Sequence, residues 1–114
     1  MDIGETLTAL TPADFRRWLE ANHQVKKEIW LVIYKKASGK TGISYDESID
    51  EALCFGWIDS IAKSMDAEKY AQRFSPRRKN GNWTETNKAK ARSLIAAGKM
   101  TEAGRAMFPP DLED

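Results

Sequence analysis

Apolar residues recur at helical spacing in one stretch of the chain and run without interruption in the next. Phe15, Trp18 and Leu19, continued by Asn22, follow an i, i+3, i+4, i+7 spacing, which predicts a helix with the first three on its core face. Thr11-Pro12-Ala13-Asp14 marks its start. The threonine can cap, proline suits the first helical position, and the aspartate sits at the positive end of the dipole. Leu10 and Phe15 stand at the positions of a hydrophobic staple, and the helix is placed at about 12–22. Ile29 to Tyr34 is a continuous apolar run rich in β-branched and aromatic side chains, so it reads as a central strand covered on both faces.

Ala37 to Gly42 carries Ser38-Gly39 and Thr41-Gly42 and reads as a loop. Gly39-Lys40-Thr41 has the tail of a phosphate-binding loop, but the earlier glycine and the following helix are missing, so a turn is expected. Ser44-Tyr45-Asp46-Glu47 is a capping box, and Ile49, Ala52 and Leu53 line one face of the helix it opens, to about Phe55. Asp46, Glu47, Asp50 and Glu51 crowd the first turns of that helix, where its dipole favours carboxylates; a solvated helix start explains them better than a metal site.

Gly56 ends the helix, and strands are expected from Trp57 to Lys63 and from Lys69 to about Ser75, with Ser64 to Glu68 as the turn. With Lys63 opposite Lys69, Ala62 would face Tyr70, Asp59 would face Arg73 and Ile58 would face Phe74. The Ile58, Ser60 and Ala62 face would then pack inward. Ser75 to Asn82 is a basic, turn-rich loop. Thr84 or Asn82 caps a further helix at roughly 85–97, with Ala91, Leu94 and Ile95 as its core stripe and Gly98 as its stop. A short helix runs from Thr101 through Met107, and Pro109-Pro110 opens an acidic tail to Asp114. The expected fold is α+β: a small, mainly antiparallel sheet with helices on one face, in the order α-β-α-β-β-α-α, as one domain over 1–108 with a tail at 109–114.

The 114 residues suit one core, and 41% hydrophobic with 31% charged residues indicates a folding chain. A net charge of +1 points to no class of partner, but its distribution is uneven. Lys69 to Lys99 holds nine basic residues and one acid, Glu85, a local excess of +8 that can attract anions. The single Cys54 excludes an intrachain disulfide, and with His23 alone it cannot form a Cys/His zinc site. A lone thiol, a start without signal-peptide character and no apolar run of membrane length predict a cytoplasmic protein with no membrane association.

Several stretches match one known pattern: Trp18-Leu19-Glu20 with Asn22-His23, Trp30-Leu31 with Tyr34-Lys35-Lys36, and Tyr45 to Ala52. The most specific is Glu51-Ala52-Leu53-Cys54-Phe55-Gly56-Trp57-Ile58-Asp59-Ser60. Gln72-Arg73-Phe74-Ser75-Pro76-Arg77-Arg78, Asn82-Trp83 and Asn87 follow it at the expected distance. Over roughly 11–105 the chain resembles the amino-terminal part of the bacterial YdeI/OmpD-associated (bacteriocin-protection) family. The resemblance implies a link to bacteriocin protection and no established catalytic residue. Members of that family continue into a helical carboxy-terminal region that this sequence does not contain.

The residues themselves point to one candidate site. Arg73, Arg77, Arg78 and Lys79 precede a helix whose free N–H groups begin near Thr84, and guanidinium groups beside a helix amino terminus suit an anion. Trp57, Phe74 and Trp83 can supply flat walls, with Asp59 shaping the site. The competing explanation is a solvated loop with an Asp59–Arg73 cross-strand pair. Lys88, Arg92 and Lys99 extend the basic surface, yet the acidic helix leaves no broad positive face for nucleic acid.

Cysteine catalysis is disfavoured, because Cys54 lies at the carboxy-terminal end of its helix near Asp50, and no spacing brings His23 to it. Asp59 with Ser60 lacks a partner for proton transfer. The expectation is a non-enzymatic binding module for a small anionic ligand or acidic surface, without cofactor, metal or catalytic residues. A protein-interaction module in envelope stress and an uncharacterised enzyme are the alternatives.

Overall fold

The computed structural model describes residues 2–78, 81 and 83–112. Its elements are β1 (Thr6–Leu7), α1 (Pro12–Asn22), β2 (Ile29–Tyr34), a 3-10 turn (Lys36–Ser38), α2 (Tyr45–Cys54), β3 (Trp57–Ser64), β4 (Lys69–Pro76), α3 (Glu85–Ala96) and α4 (Glu102–Arg105). The sheet order is β1-β2-β4-β3; β1 pairs parallel with β2, and the other two pairings are antiparallel. This is an α+β fold with the expected succession of helices and strands, preceded by the two-residue β1 and interrupted by the 3-10 turn.

Local chemistry sets the helix starts. Thr11 Oγ1 accepts from the Asp14 N–H, and the Ser44 box closes in both directions: Glu47 N–H donates to Ser44 Oγ at 3.1 Å and Ser44 N–H to Glu47 Oε1 at 2.9 Å. Thr84 Oγ1 caps α3 by accepting from Asn87 N–H, and Thr101 caps α4. Leu10 stays half exposed beside its cap.

The core is formed by Phe15 and Leu19 of α1, Ile29, Leu31 and Ile33 of β2, Ile49, Ala52 and Leu53 of α2, and Phe74 of β4, all buried. Each such large side chain contributes about 1.5–3 kcal/mol on leaving water, enough to override weak local preferences. Ala91 and Leu94 of α3 are buried as expected, whereas Ile95 is only half-buried. Glu51 departs from the solvated helix start: it is 5% exposed and accepts from Arg16 at 3.2 Å.

Gly56 turns the chain from α2 into β3 with φ +75°, and a Cβ there would lie 2.8 Å from the Ala103 carbonyl oxygen. Gly104 lets α4 press on the end of α2, since a Cβ would meet the Cys54 carbonyl oxygen at 2.6 Å. At the end of the chain, Leu112 is buried and Asp111 pairs with Lys88 at 3.0 Å. Asp114 lies outside the described residues.

The β3–β4 register differs from the expected one. Trp57 lies opposite Pro76, Ile58 opposite Ser75 and Asp59 opposite Phe74; after a bulge, Ala62 faces Gln72 and Ser64 faces Tyr70. The Asp59–Arg73, Ile58–Phe74, Ala62–Tyr70 and Lys63–Lys69 pairings therefore do not form. The turn is responsible. Asp66 Oδ1 accepts from the N–H groups of both Glu68 and Lys69, and Lys69 O accepts from Met65 and Asp66 N–H, so the register is displaced by two residues beside the turn, of which the bulge between Asp59 and Ala62 takes back one. A one-residue displacement exchanges the faces of a strand. Asp59 joins Phe74 on the helix side, and Arg73, opposite Trp30, takes the other.

Candidate functional site

The sequence places four basic residues near one helix start, and the structure separates them. Arg73 is held on the far face of the sheet: its Nε donates to Glu28 Oε1 at 2.7 Å and its Nη1 to Ser60 Oγ at 3.3 Å. An arginine so engaged orients β2 against β4 and is not poised for a ligand on the helix side. Trp57 is 1% exposed and meets Trp18 edge-on at 5.8 Å, so it is core material and no wall of a cleft. Lys79 lies outside the described residues, as does Asn82, the alternative cap.

Arg77, Arg78 and Asp59 do come together. They line a cleft of about 300 Å³ with Ile58, Ser60, Ser75, Pro76 and Gly81, formed where the start of β3 meets the end of β4. The geometry follows from the chain path. Arg77 N–H donates to Gly56 O at 2.8 Å, carrying the strand pairing one step past Pro76, and Gly81 N–H donates to Arg78 O at 3.0 Å, which holds Gly81 at the opening.

Arg77 is 6% exposed, and its guanidinium carbon lies 4.1 Å from the Trp83 ring centroid. Burial pushes this guanidinium below its ordinary value, and the nearby Asp59 carboxylate opposes that shift. Arg78 is exposed. Asp59 Oδ2 accepts from Tyr45 Oη at 2.6 Å, which ties the first residue of α2 to β3. One carboxylate faces two guanidinium groups, so the cleft is net positive.

Trp83 enters this site as a support. Its ring carries Arg77, packs edge-on against Phe108 at 5.7 Å, and its Nε1 donates to Met107 O at 3.1 Å. Thr84 serves as the α3 cap and is not among the residues lining the cleft. Tyr45, Ser60 and Ser75 were not singled out by sequence for this site. Ser60 adjoins Asp59 and Ser75 lies two residues before Arg77, and that proximity in the chain was the available signal. Cys54 is fully buried, with burial pushing its thiol up against the opposing influence of Arg16. His23 Nδ1 sits 2.8 Å from Leu19 O, and its ring packs on Phe55 at 5.1 Å.

Among the described residues, no helix is long and apolar enough to cross a membrane. No curated protein and no solved structure matches the chain. A family model does match residues 7–107, nearly the whole fold including every described residue of the cleft, and the chain belongs to that family, Domain of unknown function (DUF8412).

Proposed function

We propose that this chain is a non-enzymatic binding module for a small anionic ligand, taken into the cleft between β3 and β4. The observation that carries this reading is Arg77: a cation 6% exposed, stacked on Trp83, on the wall of a cleft that also presents the exposed Arg78. A guanidinium fixed in this way gives up little side-chain entropy on meeting a carboxylate or phosphate, and its planar fork matches either group. Arg78 supplies a second, exposed donor. Ser60 and Ser75 add hydroxyls, and Asp59 disfavours ligands with excess negative charge. A volume of about 300 Å³ suits a small molecule, at the lower end of ordinary ligand pockets.

The resemblance to YdeI/OmpD-associated proteins supports a role connected with bacteriocin protection, and the lone buried thiol supports a cytoplasmic setting. In the test, inorganic phosphate and acetate are titrated into the wild type and Arg78→Ala, followed by NMR. Arg78→Ala is expected to weaken both by about fivefold or more, the order expected of a charge-assisted hydrogen bond, with no change in thermal midpoint. Equal binding by the two proteins, or none by the wild type, removes the proposal.

A further inference from the structure

A second cleft lies on the other side of the Tyr45–Asp59 hydrogen bond and has different chemistry. Tyr34 ends β2, Tyr70 is the second residue of β4 and Tyr45 opens α2, and these three rings border one cavity of about 330 Å³. The segment from Lys40 to Ser44 forms its remaining wall, and Lys36 stands at its margin. Gly42 lies directly against the Tyr34 ring: a Cβ there would approach the ring's Cδ2 to 3.3 Å. Lys40 Nζ sits 5.7 Å from the centroid of the same ring while pairing with Glu68 at 3.0 Å. Lys36 is exposed and forms no ion pair among the described residues.

Packing alone does not explain this arrangement. Tyr45 is 42% exposed, although Ile33, Ile43, Tyr34 and Tyr70 line the same cleft. Its position is instead set by its hydroxyl, which donates to Asp59 at 2.6 Å and leaves the ring beside the opening. Aromatic walls from three elements attract a flat ring by stacking, and lysines at the margin attract an anion.

We infer that the Tyr34–Tyr45–Tyr70 cleft binds a planar heterocycle carrying an anionic group, of about the size of a mononucleotide. The cleft does not depend on Arg77 or Arg78, so this inference stands or falls separately from the anion site.

Adenosine 5′-monophosphate (AMP) is the probe, with adenosine and ribose 5-phosphate as its two halves, each followed by amide chemical shifts. AMP is expected to produce saturable shifts at Tyr34, Gly42, Tyr45 and Tyr70, with each half binding about tenfold more weakly or worse. Tyr45→Ala is expected to weaken AMP about tenfold, the loss of one stacking partner, whereas Tyr45→Phe, which keeps the ring but releases the hydroxyl that positions it, is expected to weaken AMP by less, about threefold. Arg78→Ala is expected to leave AMP binding unchanged. The inference is overturned by ribose 5-phosphate or adenosine binding as well as AMP, or by Tyr45→Ala binding AMP normally. Loss of AMP in Arg78→Ala, or no saturable shift around the three tyrosines, overturns it equally.

Discussion

The Arg77 guanidinium rests on the Trp83 indole, 4.1 Å from its centroid, and so joins the end of β4 to the segment leading into α3. Removing either partner affects stability as well as binding, because Arg77 is buried and its stem packs with its head. Arg77→Ala is expected to lower unfolding free energy by about 2 kcal/mol, the upper range for a desolvated cation over a ring. Arg77→Lys keeps the charge but loses the flat stack, and recovers only part of that. Urea denaturation of the three proteins checks this ordering.

Tyr45 holds a proton more tightly than an ordinary tyrosine. Burial and the hydrogen bond to the Asp59 carboxylate push its pKa up to about 12. A group raised on folding contributes stability that is complete below its unfolded value and declines as pH rises through the folded one. Its contribution is therefore present up to about pH 10 and is lost between about 10 and 12. Phenolate absorbance is expected to show a late-titrating step that Tyr45→Phe abolishes. At neutral pH the same substitution is expected to cost about 1 kcal/mol, for a hydrogen bond to a charged but partly solvated acceptor.

The close approach of α4 to the end of α2 depends on Gly104. A methyl group there would lie 2.5 Å from Met100 Sδ and 2.6 Å from the Cys54 carbonyl oxygen, and the second of these cannot rotate away. Gly104→Ala is expected to destabilise by about 2 kcal/mol or more, as overpacking against backbone does. Gly98→Ala is a useful contrast: its φ is +74° but nothing lies within 4 Å, so only the strain of the left-handed backbone remains. Thermal unfolding of both variants is expected to rank Gly104→Ala as the weaker protein.

Cys54 has no exposed surface, and burial raises its thiol. At neutral pH a disulfide reagent is expected to leave it unmodified in the folded protein and to label it fully in denaturant. Rapid labelling under native conditions would reopen the case for a reactive cysteine.

Much of the fold was legible in the sequence because its signals were local. The Ser44–Glu47 box, the Thr11-Pro12 start and the unbroken Ile29–Tyr34 run each fix an element with chemistry contained in a few residues. The strand β1 was not legible, since Thr6 and Leu7 gain their extended form only from pairing with Trp30 and Leu31. The hairpin register escaped for a related reason. Asp66 gathers the turn by accepting two backbone hydrogens, and the bulge beyond Asp59 adds a further residue, neither of which alternation reveals.

That displacement also reshaped the site. It sent Arg73 to Glu28, delivered Asp59 to Tyr45, and left Arg77 and Arg78 as the described cations of the cleft. The excess of basic residues in this loop was legible from the sequence; which of its members share a cavity was not, because that is decided across the sheet.

The most direct measurement of the central claim is a map of amide and guanidinium Nε–Hε chemical shifts on adding inorganic phosphate to the intact chain. The expected result is a saturable change centred on Asp59, Ser75, Arg77, Arg78 and Gly81, including the Nε–Hε signal of Arg77. Shifts confined to other lysines and arginines, scattered over the surface without saturation, would contradict it.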